Sequence, residues 1–236
     1  YEREQGATTK KVDKLIHKLD NTNSMSELRK FQSVILEEFS TLDIDPTKDP
    51  LRVGIGGEIY ITLEPYVNLD IRRRIGEMGV ELYQSLSLYD WIAHKLHVNF
   101  HRKWLEHVAE PYMPLDIGGE AVWVIGQYIE NAKAGFDGFI HQYPFTCMPE
   151  ITARTIITNK LKKIYDLPTI YFSFDEQSGV EGFRTRLEAF CDLMNARREH
   201  RRKEQKEMGD ILAHASNHTY YGNKFRKKCL KMIQKD

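Results

Sequence analysis

The stretch FDGFIHQYPFTCMPEITARTI, residues 136–156, runs a short apolar segment into a helical pattern led by proline, with one thiol at the join. FDGFIHQYP has the length and aromatic content of a buried strand. The pattern MPEITARTIITNKLKKIYD, 148–166, is that of a helix with Pro149 in its first turn, where the missing N–H has no intrahelical partner. LPTIYFSFDE, 167–176, then reads as a second strand, so this region is a β-α-β unit, and such a unit implies parallel strands joined by a right-handed crossover.

The same alternation extends in both directions. Upstream, LRVGIGG (51–57) is a buried strand running into glycines. NLDIRRRIGEMG (68–79) is a helix capped by Asn68 or Asp70 and stopped by Gly79, and VELYQSL (80–86) is another strand. GGEAVWVIGQYIENAKAG (118–135) is a helix with a glycine stop. GVEGFRTRLEAFCDLMNARREHRRK (179–203) is a long closing helix. The alternation predicts an α/β fold of the flavodoxin or Rossmann type: a parallel sheet of about four strands with helices on both faces. Two N-terminal helices precede it, with apolar residues at helical spacing from Val12 to Leu19 and from Leu28 to Phe39, broken by DNTNSMS. LYDWIAHKLHVNFHRKWLEHVAEPY (88–112) is helical in period with no strand of its own, and reads as an inserted helix or helix pair. The expected organisation is a helical segment over 1–47, the α/β domain over 48–206 with a helical insertion over 86–117, and a basic tail or linker over 207–236.

Composition narrows the function classes. The chain has 236 residues, 41% of them apolar, enough for a substantial core. Lysine plus arginine and aspartate plus glutamate both number 34, so no global charge steers the protein toward nucleic acid or anionic lipid. No apolar run approaches the roughly 18 residues of a membrane span, and a cytoplasmic protein with neither nucleic-acid nor membrane partner is expected. Cys147, Cys191 and Cys229 are odd in number and far apart, against a disulfide framework or a self-contained zinc site and in favour of a reducing compartment. The opening YEREQGATTKK, without an initiating methionine, reads as the interior of a longer polypeptide. The runs NARREHRRKEQKEMGD and GNKFRKKCLKMIQKD read as charged helix surface or linker, with nucleic-acid binding as the alternative.

In a doubly wound sheet, ligands bind beyond the carboxyl ends of the strands. Three loops fall there: GIGGEIYITLEP, HQYPFTCMPE and FDEQSGVEG. Cys147 stands at the N-cap of the helix that opens Met148-Pro149-Glu150, where free amides and the helix dipole favour a thiolate and lower its pKa. Such a sulfur suits metal ligation or nucleophilic attack, and the plainer alternative is a small buried side chain. His141, six residues back, is the candidate base for a cysteine hydrolase. GIGGEIYI lacks the third glycine of a dinucleotide fingerprint, since Ile59 stands there, yet Gly56 and Gly57 allow close backbone approach to a ligand and Glu58 can accept hydrogen bonds. The alternative is a tight packing turn. Asp175, Glu176 and Gly179 lie at the mouth of the last strand, where acidic residues also serve as helix caps. His94, His97 and His101 fall at helical spacing on the insertion, a chelating pattern weakened by the interleaved Lys95, Arg102 and Lys103.

The motifs RVGIGGEIYI, FTCMPEITA and FDEQSGVEGFRTRLEAF together resemble the large CoA-substrate-specific enzyme activase proteins. The non-ATPase portion of those proteins is similar to 2-hydroxyacyl-CoA dehydratase and double-cubane-cluster proteins. The resemblance runs from Arg52 to Phe190. It implies flavodoxin-like lobes, with cysteines at strand ends holding an iron–sulfur cluster between lobes for ATP-driven, low-potential electron transfer. Cys147 is the residue that matches a family ligand. Cys191 and Cys229 do not match the pattern. The resemblance further implies that a preceding lobe and an ATPase activator domain of the same polypeptide supply the other ligands and the driving force, with an acyl-CoA or other small substrate. Gly56, Gly57, Glu58, Glu150, Asp175, Glu176 and Gly179 are then expected near the cofactor, a 4Fe–4S or double-cubane cluster that this piece alone does not retain. Two other classes stand beside this reading: a metal-free flavodoxin-like binding or assembly module, and a cysteine-dependent hydrolase.

Overall fold

The structure, a computed structural model, describes residues 2–176 and 179–217, the last nine of these as backbone only. The chain divides into two compact units, Tyr1–Cys191 and Asp192–Asp236.

The first unit opens with two helices, α1 (Ala7–Asp20) and α2 (Met25–Ser40). Ser24 caps α2 by accepting from the Glu27 amide, and Glu38 on α2 gathers Lys11, Lys14 and Lys18 from α1. Next come β1 (Leu51–Gly57), the one-turn α3 (Ile59–Leu63), α4 (Ile71–Glu77) and β2 (Val80–Gln84). Asn68, one of the two capping residues expected from the sequence, accepts from the Ile71 amide, whereas Asp70 occupies the left-handed N-cap position without a side-chain capping bond and pairs instead with Arg73. The insertion is a pair, α5 (Leu88–Lys95) and α6 (Phe100–Ala109). It is followed by α7 (Ala121–Lys133), β3 (Gly138–Pro144), α8 (Met148–Ile156), a π-turn over Ile157–Leu161, α9 (Lys162–Tyr165), β4 (Thr169–Phe174) and α10 (Val180–Asn217). The last helix thus continues past the boundary at 206 drawn from the sequence. Residues 218–236, with Cys229 and most of the expected tail, lie outside the described residues.

The four strands form one parallel sheet in the order β2-β1-β3-β4. In-register parallel neighbours share a face. One face carries Gly54 and Gly56 of β1, Phe139 and His141 of β3, and Tyr171 of β4, and it receives α7 and α8. The other carries Ile55, Ile140, Gln142 and Phe172; α4 reaches it through the Arg72–Gln84 bond and the start of α10 through Phe183, whose ring lies 4.5 Å from that of Phe172. Helices therefore cover both faces, as the alternation required.

The core lies mainly between α7, α8 and the sheet, where Val124, Ile125, Tyr128, Ile129, Phe139, Ala153, Ile157 and Leu161 are buried. Each such large apolar side chain contributes roughly 1.5–3 kcal/mol relative to exposure. Gly54 and Gly56 make this packing possible: a Cβ on either would strike Asn131 or Gln127 of α7. Along the insertion, α6 approaches α7 so closely that a Cβ on Gly126 would lie 2.5 Å from the Leu105 carbonyl oxygen.

Gly57 ends β1 at φ 147°, and a Cβ there would lie 1.7 Å from the Gln142 carbonyl oxygen, the same oxygen that accepts from the Glu58 amide. Backbone cannot yield as a side-chain tip does. Gly57→Ala should therefore cost about 3 kcal/mol in chemical denaturation, and a loss below about 0.5 kcal/mol would show that the β1–β3 junction is looser than described.

Candidate functional site

The order β2-β1-β3-β4 puts a topological switch between β1 and β3, because α4 leaves β1 on one face and α8 leaves β3 on the other. The crevice beyond the carboxyl ends of these two strands is where a doubly wound sheet binds ligands. Two of the three loops named from the sequence flank it. Gly57 pairs with Gln142 and leads into Glu58; Pro144 leads through Phe145 and Thr146 to Cys147. The third loop is one strand further along, since Pro144 pairs with Phe174 and the Phe145 amide donates to the Phe174 carbonyl. Asp175, Glu176 and Gly179 are exposed on that flank, and the adjoining Gln177 and Ser178 lie outside the described residues.

Cys147 is the N-cap of α8, half-buried, with Pro149 in the first turn, as the sequence indicated. The turn that presents it is tight. Thr146 adopts φ 68°, a left-handed conformation that costs a β-branched residue roughly 1–2 kcal/mol. The Cys147 amide donates to the Pro144 carbonyl, and its carbonyl accepts from Ile151.

The expected lowering of the thiol pKa does not occur. Burial pushes it up from the ordinary value; the Glu150 amide beside the sulfur favours the thiolate, without forming a capping hydrogen bond, and the nearby Glu150 and Glu58 carboxylates oppose it. The helix terminus is there, but desolvation and two like charges outweigh it.

Glu58 caps α3, its carboxylate accepting from the Ile61 amide at 2.9 Å. Gly56 is not a ligand-facing glycine: the space above it is taken by Gln127, whose amide donates to the Ser85 hydroxyl at 2.5 Å. His141 and Glu150 are fully buried and joined at 2.6 Å between Nε2 and Oε2, leaving His141 Nδ1 and Glu150 Oε1 without hydrogen-bond partners. His141 is therefore tied to a carboxylate beneath the crevice.

A second buried pair lies on the insertion side. Arg102 of α6 stacks on Trp123 of α7 with its guanidinium carbon 4.2 Å from the ring centroid; its Nε lies 3.2 Å from Glu106 and its Nη1 3.2 Å from Glu120. Glu120 immediately precedes α7. Burial pushes its pKa up to about 7, against the pull of Arg102 and with the Glu150 and Glu58 carboxylates adding to the rise. No spacing rule links residues 102 and 120; the available signal was an acid set directly before the apolar run AVWVIG.

The three insertion histidines do not share one helix face, because the helical segment breaks at 96–99, where His97 takes φ 60°. His101 pairs with Glu130 at 2.9 Å; His94 and His97 line a cavity of about 560 Å³ with Arg102, Glu106 and His107. Among the described residues, no three His, Cys, Asp or Glu side chains are gathered as metal ligands. Cys191 is buried on α10, its sulfur 3.9 Å from that of Met78, away from the strand-end loops in sequence and in contact. No helix among the described residues is long and apolar enough to cross a membrane. No family model, curated protein or solved structure matches the chain.

Glu120 gives the site a pH signature. In the unfolded chain it ionises near 4.5, in the folded chain near 7, so over that interval the unfolded state releases its proton first and folding stability falls as pH rises. The loss should total about 3 kcal/mol. Relative to Glu120→Gln, the wild type should lose that amount between pH 4.5 and 7.5 in urea titrations; parallel profiles for the two proteins would contradict the assignment.

Proposed function

We propose that this chain contributes Cys147 to an iron–sulfur cluster, of the 4Fe–4S or double-cubane kind, whose remaining ligands come from protein outside the described residues. In this reading it is part of a 2-hydroxyacyl-CoA dehydratase or activase-like redox system in a reducing cytoplasm, with ATP-driven, low-potential electron delivery toward an acyl-CoA or other small substrate. The observation that carries the proposal is a half-exposed thiol held on a strained strand-to-helix elbow, at the switch point of a parallel sheet, with no second thiol beside it among the described residues.

The residues fit one corner of a cluster and not a whole one. An iron–sulfur cluster of this size takes about four thiolates, and this edge offers one. When bound, the cluster supplies one-electron chemistry at a potential set by its ligands, their hydrogen bonds and its burial. This chain's part is to present the sulfur, with the Glu58 and Glu150 carboxylates nearby. Burial pushes the pKa of the free thiol up, with those carboxylates adding to the rise, whereas a metal ion deprotonates a coordinating thiol outright. Gly57 and Glu58 belong to this rim. Asp175, Glu176 and Gly179 flank it one strand away.

The hydrolase reading has less support. A nucleophilic cysteine needs a depressed pKa or a free base, whereas this thiol is pushed up and His141 Nε2 is committed to Glu150. A metal-free binding module is the competing reading, favoured by the raised thiol pKa.

The test is anaerobic reconstitution of the intact protein with iron and sulfide. The wild type should hold protein-bound iron with charge-transfer absorption, and Cys147→Ser should lose most of both. Equal iron and equal absorption in the two proteins would leave the binding-module reading.

A further inference from the structure

We propose that the cavity between β2 and the end of α7 binds a small α-amino acid as its zwitterion, with the carboxylate on Arg52, the ammonium on Glu130 and Asn131, and an apolar side chain against Phe136 and Tyr83. This site is separate from the Cys147 rim, and the inference does not depend on the cluster reading above.

The sheet fixes where the cavity lies. Arg52 pairs in register with Glu81 and Gly54 with Tyr83, so Arg52, Glu81 and Tyr83 share the face that carries Gly54 and receives α7. Strand β2 is at the edge of the sheet, and α7 packs over the glycines of its neighbour β1. Between β2 and the last turn of α7 opens a cavity of about 260 Å³, whose walls include Arg52, Glu81, Tyr83, Glu130, Asn131 and Phe136. Phe136 stands just before β3, which places the cavity toward the amino ends of the strands, away from the carboxyl edge that carries Cys147.

Two buried acceptors belong to this cavity. Asn131 is 2% exposed, yet its Oδ1 has no hydrogen-bond partner among the described residues. Its Nδ2 is turned toward β1, where a Cβ on Gly54 would lie 2.2 Å from it, which leaves the oxygen for the cavity. The adjacent Glu130 gives Oε1 to His101 at 2.9 Å, while its Oε2 is buried without a partner. Burying a polar atom unpaired is costly. Both oxygens call for a group with several N–H donors, and an ammonium has three.

Arg52 supplies the complement. Its guanidinium carbon lies 4.4 Å from the centroid of the Phe136 ring, and no carboxylate among the described residues pairs with it. A guanidinium over an aromatic ring keeps its N–H edge available for a carboxylate, which it holds with two parallel bonds. Tyr83 meets the same ring edge-on with centroids 5.7 Å apart, so an apolar wall adjoins the charged groups. A plain amine would leave Arg52 unpaired, and a plain carboxylate would leave the two acceptors unpaired and face the Glu130 charge. A zwitterion answers both. The cavity falls below the roughly 300 Å³ at which pockets for drug-sized molecules begin, which limits the side chain to a modest size.

Calorimetric titration of the full chain tests this with L-valine, L-leucine and L-phenylalanine, each beside the acid that lacks its amino group and the amine that lacks its carboxyl group. At least one of the amino acids should bind at millimolar concentration or below, and both of its analogues should bind about tenfold more weakly or worse. Arg52→Met keeps the packing on Phe136, and Glu130→Gln keeps an acceptor for His101. Each should weaken binding by a similar factor, with thermal unfolding confirming that the variants are folded. Should a variant fail to fold, the comparison of analogues in the wild type decides. No binding of any of the three amino acids would overturn the inference. So would an amine or acid that binds as tightly as its parent amino acid, or an affinity unchanged in either folded variant.

Discussion

Pairing β1 with both β2 and β3 is the constraint from which the rest of the site follows. Once β3 adds on the side away from β2, the chain that leaves β1 and the chain that leaves β3 depart on opposite faces, and a crevice opens between them at the carboxyl edge. That pairing is held tight by glycine. Gly54 and Gly56 admit α7 against the sheet, and Gly57 lets the backbone pass close to the Gln142 carbonyl. Glu58 and Cys147 are brought to the rim by backbone geometry before any side-chain interaction is counted.

Below that rim lies a polar layer that a packing argument alone would not place there. Arg102 and Glu120 bridge the insertion to α7, Gln127 fills the space over Gly56, and His141 and Glu150 bridge β3 to α8. Burying charged groups is costly unless they are paired, and breaking one partner of such a pair costs about 3–5 kcal/mol. The layer therefore resists small rearrangement, which makes it a rigid mount for a sulfur. Burial at the same rim pushes the pKa of that thiol up, and the nearby Glu150 and Glu58 carboxylates add to the rise.

The sheet was legible because its signals are local and repeated. Proline at 149, the glycine stops at 79 and 135, and the apolar runs of the strands each identify an element within a few residues. The rim was legible for the same reason, since strand ends and helix starts are adjacent in sequence. Other features depended on contacts the sequence does not order. The one-turn α3 is too short for a period to declare it. The break between α5 and α6 is marked by a cap, Asn99, which accepts from the Arg102 amide, as Ser87, accepting from the Asp90 amide, marks the start of α5. The thiol pKa was misjudged because a helix terminus is visible in sequence, whereas desolvation and the approach of Glu58, eighty-nine residues earlier, are properties of the fold. The Glu150–His141 bond was invisible because both residues already had another reading, as a ligand-facing acid and a free base.

The central claim concerns one atom, the Cys147 sulfur, and iron can be located directly. Crystals of the intact protein, grown anaerobically and measured on either side of the iron absorption edge, should show an anomalous peak beyond the carboxyl ends of β1 and β3, within bonding distance of that sulfur. Iron bound elsewhere, with the Cys147 sulfur remote from it, would contradict the account.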